Sequence, residues 1–138
     1  HENILGNIIS MCEIAKANKI KPILCSVLPA DRFRWRPQLT PAEDLVKLNK
    51  MIQEYAKSAR IPYVDYHSVL KDENNALPEK HAADGVHPNL DCYKIMEEII
   101  VLTSFLPSFS DFAIENISGC SSWETPKSKF LRNCSTPV

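Results

Sequence analysis

Two short apolar runs decide the fold: IKPILCSVL at residues 20–28 and IPYVDY at residues 61–66. Nearly continuous apolar runs of this length are typical of strands that are buried on both faces of a parallel sheet. Pro29 directly follows the first run and ends it. We therefore expect two short parallel strands here, with the intervening residues forming the crossover between them.

Three amphipathic patterns surround the two runs. Apolar side chains recur at steps of three and four over residues 3–18, 45–59 and 90–100, which predicts three helices. The middle helix is preceded by Thr40-Pro41-Ala42-Glu43, which predicts a capping box with Thr40 as the N-cap and Pro41 at the first helical position. The order α-β-α-β-α is typical of a doubly wound, flavodoxin-like fold, a three-layer α/β/α sandwich with a parallel sheet.

Two strands do not complete such a sheet, because each would keep a row of backbone N–H and C=O groups without partners. We therefore expect residues 1–102 to be the C-terminal part of a larger domain. From residue 103 onward the sequence is rich in Ser, Phe and Cys, has no clean period and contains several prolines. Residues 103–138 are predicted to be a tail that is disordered or does not belong to the domain.

The composition narrows the classes of function. The 138 residues are 44% hydrophobic and 24% charged, close to the average of globular domains. A formal net charge of −1 gives no general attraction for nucleic acid, and no apolar run reaches the length of about 18 residues that spans a bilayer. Five cysteines at irregular spacing, without a C-x-x-C pair, make a disulfide framework or zinc site improbable. We expect no cofactor.

The segment DGVHP at residues 84–88 carries the strongest chemical signal. It follows the second run, on the side of a doubly wound sheet where ligands bind. Gly85 permits a tight turn that would fold the Asp84 carboxylate onto one ring nitrogen of His87. Pro88 holds His87 extended and suits the first turn of the next helix. The other ring nitrogen would then be a basic acceptor, the base half of a nucleophilic triad. An ordinary Asp-Gly turn before a helix cap is the plain structural alternative.

This segment, extended by Asn89 and followed by YKIM at residues 93–96, resembles the last sequence block of the SGNH hydrolases, also called the GDSL esterase/lipase family. The two runs resemble the last two strands of that family, and the resemblance covers residues 3–102. It implies a bacterial acylhydrolase that acts on small-molecule lipid, acetyl or carbohydrate esters, with His87 as general base and Asp84 as its orienting carboxylate. The resemblance also favours an exported protein, either periplasmic or secreted.

The nucleophile that the resemblance implies is missing from this chain. The family carries its serine in a Gly-Asp-Ser motif, which does not occur here, and its oxyanion-hole Gly and Asn in earlier blocks. Ser26 lies within the first predicted strand and Ser68 follows the second, and neither lies on a strained turn before a helix. We therefore expect the chain to hold only the His-Asp half of a triad and to be inactive on its own.

The loop Arg32-Phe33-Arg34-Trp35-Arg36 supports a second hypothesis. Alternating Arg and aromatic side chains can stack on nucleic acid bases and pair with phosphates, but one such cluster in a chain of charge −1 is a small footprint. In the esterase interpretation Trp35 shapes the substrate pocket and Arg34 meets an anionic substrate group. A plainer interpretation is that the aromatic rings cover the edge of the core. The alternative function is a non-catalytic α/β binding fragment that uses this loop.

Two further histidines, His67 and His81, are candidates for site residues. His81, Asp84 and His87 stand at steps of three, as metal ligands on one helix face do. Gly85 and the proline after His87 argue against a continuous helix, so no metal site is expected. His67, directly after the second run, and His81 are predicted to be ordinary loop histidines that are exposed at least in part.

Overall fold

A computed structural model describes the backbone of residues 1–105 and the side chains of residues 1–103. The last helix runs to residue 105, three residues into the predicted tail of residues 103–138, and the rest of that tail lies outside the described residues. The described elements follow in the order α1 (Glu2–Ala17), β1 (Leu24–Cys25), α2 (Ala42–Ser58), β2 (Tyr63–Val64), α3 (Tyr66–Leu70) and α4 (Leu90–Phe105). None of these helices combines the length and apolarity that crossing a membrane requires.

The two strands are parallel and form the middle of three layers. Leu24 lies opposite Tyr63, and Cys25 lies opposite Val64. Because successive side chains of a strand point to opposite faces, the two pairs serve different layers. Leu24 and Tyr63 pack with side chains of α1 and α2, whereas Cys25 and Val64 pack with the loop before α4 and with α4 itself. The predicted doubly wound arrangement is confirmed as a partial sheet with helices on both faces.

Both strands are shorter than the apolar runs that predicted them. The ladder from β1 stops at Val27, whose N–H donates to Asn49 Oδ1 at 2.7 Å and whose C=O accepts from Asn49 Nδ2 at 2.9 Å. Asn49 is buried on α2, and its carboxamide stands in for a neighbouring strand at this one residue. At the end of the second run, Tyr66 begins α3 instead of extending β2. The Asp65 side chain caps that helix by accepting from Ser68 N–H at 3.0 Å.

The predicted capping box at α2 is wrong. Pro41 occupies the N-cap position, and no side chain caps the helix. The C=O of Pro41 already accepts the first intrahelical bond, from Leu45 N–H at 2.9 Å. Thr40 therefore stands one residue too early for its hydroxyl to serve as the cap. The apolar stripe of the helix is confirmed, since Leu48, Ile52 and Ala56 are buried.

Helices α1 and α2 end in the same way. Lys19 (φ 61°) and Arg60 (φ 52°) adopt left-handed backbone after the last helical turn. The following residues, Ile20 and Ile61, each donate back to a carbonyl in the last turn at 2.9 Å. This double bend satisfies carbonyl groups that would otherwise be unpaired and directs the chain into the segment that leads to each strand.

One face of α1 and β1, which we call the apolar face, keeps large apolar side chains exposed: Ile4 50%, Met11 61%, Ile14 64% and Ile23 43%. Of α1, only Cys12 is buried. A groove of about 310 Å³ separates the helix from the strand on this side.

Candidate active site

A tight turn at residues 84–87, which we call the catalytic turn, holds the His87 ring against the Asp84 carboxylate. Asp84 Oδ2 lies 2.5 Å from His87 Nδ1, while Oδ1 accepts the backbone N–H of His87 at 2.8 Å and that of Val86 at 3.0 Å. Gly85 makes the turn possible because its φ of 79° is strained for any residue with a Cβ. The contact predicted between Asp84 and one ring nitrogen of His87 is present.

These hydrogen bonds keep the carboxylate ionised. The bond to the His87 ring contributes most to holding the pKa of Asp84 well below its usual range, followed by the backbone N–H groups of His87 and Val86. The contact occupies Nδ1, so Nε2 is the ring nitrogen left for proton transfer. The His87 side chain is 76% exposed, which leaves it accessible to a reacting group. Chemically, the pair can accept a proton at Nε2 and stabilise the resulting imidazolium.

Asn89 anchors the catalytic turn to the start of α4. Its side chain accepts from Cys92 N–H at 3.0 Å and donates to the Lys80 carbonyl at 2.7 Å, while its N–H donates to the His81 carbonyl at 2.8 Å. The expectation that Pro88 belongs to the first turn of this helix is wrong, because α4 begins at Leu90. The anchoring role of Asn89 was not predicted from the sequence, although Asn is a favoured residue at a helix start.

The loop at residues 31–38 reaches the catalytic turn through Trp35. The indole stacks on the His87 imidazole with ring centroids 6.1 Å apart and planes at 29°. The Phe33 ring stacks on the same indole at 5.3 Å and 26°. Trp35 is itself 57% exposed, so it does not cover the edge of the core as the plainer interpretation expected. It lies at the site instead.

Two of the three arginines of this loop are paired with neighbouring carboxylates. Arg34 Nη2 lies 3.4 Å from Glu79 Oε1, and Arg32 Nε lies 2.7 Å from Asp31 Oδ2. An open cleft of about 420 Å³ lies between this loop and the catalytic turn, and both of these arginines line it together with Asp84. The structure thus places Arg34 and Asp84 on the lining of one cleft, with Trp35 and His87 stacked on each other next to Asp84.

Each serine within residues 1–103 has a structural hydrogen bond of its own. The hydroxyls of Ser10 and Ser58 donate to carbonyls of their own helices at 3.0 and 2.8 Å. Ser68 donates to Asp65 at 2.7 Å, and the buried Ser26 accepts the backbone N–H of His67 at 2.8 Å. In this part of the chain, therefore, no serine is placed as a nucleophile for His87.

The prediction for His67 is wrong, whereas His81 lies in a turn and keeps part of its surface exposed, as predicted. His67 lies in α3 and is 5% exposed, and its Nε2 is buried without a hydrogen-bond partner among the described residues. Burial lowers its pKa from the ordinary value of 6.5, and the charge of Lys71 adds to that shift. His81 is half-buried with an unpartnered Nδ1, and burial lowers its pKa as well, with Lys80 contributing. Among residues that the structure describes, no group of three His, Cys, Asp or Glu side chains could hold a metal ion.

Known proteins resemble this chain over most of its described length. The GDSL-like lipase/acylhydrolase family matches residues 1–95. A GDSL-like lipase from Bacteroides thetaiotaomicron has a crystal structure that is 48% identical in sequence with a TM-score of 0.66, over 70% of this chain and 48% of that one. A protein from Bacteroides fragilis assigned to the acylhydrolases is 42% identical with a TM-score of 0.70, over 73% of this chain and 50% of its own. The chain thus spans about half the length of these structures. A search of curated proteins gave no match.

Proposed function

The chain belongs to the GDSL-like lipase/acylhydrolase family, and from this membership we propose that it supplies the base half of an active site that hydrolyses carboxylic esters. The observation that carries the proposal is the contact between Asp84 and His87, which lies within the residues that the family matches. The substrate class is a small-molecule ester of a lipid, an acetyl group or a carbohydrate.

His87 acts as general base and then as general acid. Its Nε2 accepts the hydroxyl proton of a serine as the serine oxygen attacks the ester carbonyl carbon, and it returns that proton to the departing alcohol oxygen. Water then attacks the acyl-serine by the same route, which releases the carboxylic acid and restores the hydroxyl. Asp84 stays ionised throughout, because its hydrogen bonds hold its pKa well below the usual range, and it keeps the Nδ1 proton in place.

The serine nucleophile comes from polypeptide outside the described residues. Within residues 1–103 every serine hydroxyl serves a local structural bond, and Gly-Asp-Ser does not occur in the sequence. Removal of one member of a serine triad lowers kcat by roughly four to six powers of ten. The chain by itself is therefore expected to be inactive.

The cleft beside the catalytic turn is the proposed substrate pocket. Arg34 lines it, and among the described residues its guanidinium is paired with the exposed Glu79 carboxylate. Trp35 stacks on His87, the reacting group, beside this cleft. Such exposed pairs contribute little, typically about 0.2–1 kcal/mol, so an anionic substrate group can compete for the arginine. Arg34→Gln should therefore lower the rate with negatively charged esters more than with neutral ones.

A fusion enzyme tests the roles of His87 and Asp84. Residues 1–102 replace the matching part of the Bacteroides thetaiotaomicron GDSL-like lipase, and hydrolysis of p-nitrophenyl acetate is followed. We expect His87→Ala to lower kcat/KM by about a thousandfold or more and Asp84→Asn to lower it substantially. His81→Gln, a histidine of the same loop, is the matched control and should leave the rate within a few fold. Full activity in the His87→Ala fusion would refute the proposal.

A further inference from the structure

We propose that Trp35 is a positioning residue for His87: its indole fixes the orientation of the imidazole that Asp84 alone leaves free to swing. The inference rests on the proposed function only in taking His87 as the base. The contact itself joins two loops that are far apart in the sequence, and nothing in the spacing of the residues indicated it.

The Asp84 contact restrains the His87 ring in one direction only. It holds the ring at Nδ1, in the plane of the imidazole, and the His87 side chain is 76% exposed. A ring held at one edge on the surface retains motion out of its plane. The indole of Trp35 stacks on the ring from its side facing out of the imidazole plane, with centroids 6.1 Å apart and planes at 29°. Because an in-plane hydrogen bond and a face contact act in different directions, together they leave one orientation for Nε2.

Trp35 can act as a support because its own loop is held in place. Phe33 stacks on the indole at 5.3 Å, and the Phe33 carbonyl accepts from Arg36 N–H at 2.9 Å, which closes a tight turn around Trp35. Arg34 reaches Glu79, at 3.4 Å, in the loop that leads to the catalytic turn. This ion pair joins the two loops next to the stacked rings.

The exposure of Trp35 separates this role from a role in stability. At 57% exposed, the indole buries little of its surface in the core, so its removal should leave the fold intact. Tyr93 on α4 is an aromatic side chain of matched exposure, 55%, outside this cleft. A Tyr93 variant therefore controls for the general effect of losing a surface ring.

Nuclear magnetic resonance of the intact chain tests the inference without substrate. We expect cross-relaxation between the indole protons of Trp35 and the ring protons of His87, and two distinct ¹⁵N signals for the His87 ring, with the proton on Nδ1. Trp35→Leu should broaden these two signals as the ring exchanges among orientations, whereas Trp35→Phe, which keeps a ring, should retain most of their sharpness. Tyr93→Leu should change neither signal, and the backbone amide spectrum should show that all variants are folded.

Unchanged His87 signals in Trp35→Leu would overturn the inference, as would equal changes in Tyr93→Leu. In the fusion enzyme, Trp35→Leu should lower kcat by roughly tenfold to a hundredfold for short and long acyl esters alike, with KM little changed. A loss that depends on the acyl chain would mean that Trp35 is only a pocket wall and would refute the positioning role. Failure of the proposed function is distinguishable, because it would appear as activity that persists in His87→Ala while the resonance results stand.

Discussion

The catalytic turn pairs its polar groups with neighbouring residues of the same chain, whereas the apolar face leaves large apolar side chains exposed. In the turn, the Asp84 carboxylate receives three hydrogen bonds from residues within three positions of it, so the pair forms from local sequence. On the apolar face, Met11 and Ile14 remain 61% and 64% exposed. The base of the proposed site is therefore formed within this chain, whereas the sheet that supports it presents a surface suited to further contacts.

The two edges of β1 differ in the hydrogen bonding of their backbone groups. Leu24 and Ser26 donate their backbone N–H groups towards β2, each at 2.9 Å, so the N–H of Cys25 between them points to the opposite edge. At Val27 the amide of Asn49 supplies the partner that a strand would supply. Apart from that one residue, this edge of β1 is a row of backbone groups suited to a further strand.

The largest expected effect comes from the side of α2 that packs against the sheet. Ile52 is 1% exposed, and Ile52→Ala should lower the free energy of unfolding by about 2–5 kcal/mol. Met11→Ala, on the apolar face at 61% exposed, should change it by no more than about 0.5 kcal/mol. Urea unfolding of both variants provides the comparison. Equal losses would mean that the apolar face is buried in solution and that the contrast between the two regions is wrong.

The next effect concerns the substitute strand partner. Asn49→Ala leaves the N–H and C=O of Val27 without partners, which should cost about 1–3 kcal/mol. Hydrogen exchange at the Val27 amide should accelerate in the same variant. Asn18→Ala removes an exposed amide bond at the end of α1 and should have a much smaller effect. Unaltered exchange at Val27 would show that Asn49 does not close this edge.

Two glycines should respond in opposite directions to the same substitution. Gly85→Ala forces a Cβ onto a backbone with φ of 79° and should cost about 1–2 kcal/mol, concentrated in the catalytic turn. Gly6→Ala lies within α1, where nothing stands within 4 Å of the new methyl group, and should stabilise the chain by roughly 0.5–1 kcal/mol. Thermal unfolding measures both. A stabilising Gly85→Ala would mean that the turn is not as tight as the structure has it.

The smallest of these predicted effects is that of acid on the free energy of unfolding. As the pH falls, the contribution of the buried His67 should be lost before that of Asp84 in the catalytic turn. Burial lowers the pKa of His67 below 6.5, so the unfolded chain binds its proton first, and the stability from neutral His67 is present above pH 6.5 and lost as the pH falls. The pKa of Asp84 lies below its ordinary 3.8, so the contribution of its ionised form persists until much lower pH. His67→Gln should therefore flatten the fall in unfolding free energy just below pH 6.5. An unchanged slope would contradict this account.

The parts that the sequence predicted are those that local patterns determine. The helix periodicity and the two apolar runs indicated the layers, and Asp84 and His87 stand close enough in the chain for Gly85 to bring them together. Contacts that depend on tertiary packing gave no sequence signal. His67 is buried where its backbone N–H meets the Ser26 hydroxyl, and Trp35 contacts His87. Each of these contacts joins segments that are far apart in the chain.

Strand length illustrates the same limit. Apolar composition predicted extended runs, but the number of paired residues depends on what lies alongside, and at Val27, two residues beyond β1, the partner is a helix side chain. The Thr40 cap failed for a related reason. A favourable motif does not determine at which residue the helix begins, and here the helix begins one residue later than the motif required.

The most direct test of the account is an assay of p-nitrophenyl acetate hydrolysis by the purified chain alone, at a concentration high enough to detect weak turnover. We expect a rate equal to that of buffer, for the chain and for His87→Ala alike, because residues 1–103 hold a base and its orienting carboxylate without a placed serine nucleophile, and Gly-Asp-Ser does not occur in the sequence. Turnover by the chain that His87→Ala abolishes would contradict it, since it would show that this chain already contains a complete active site.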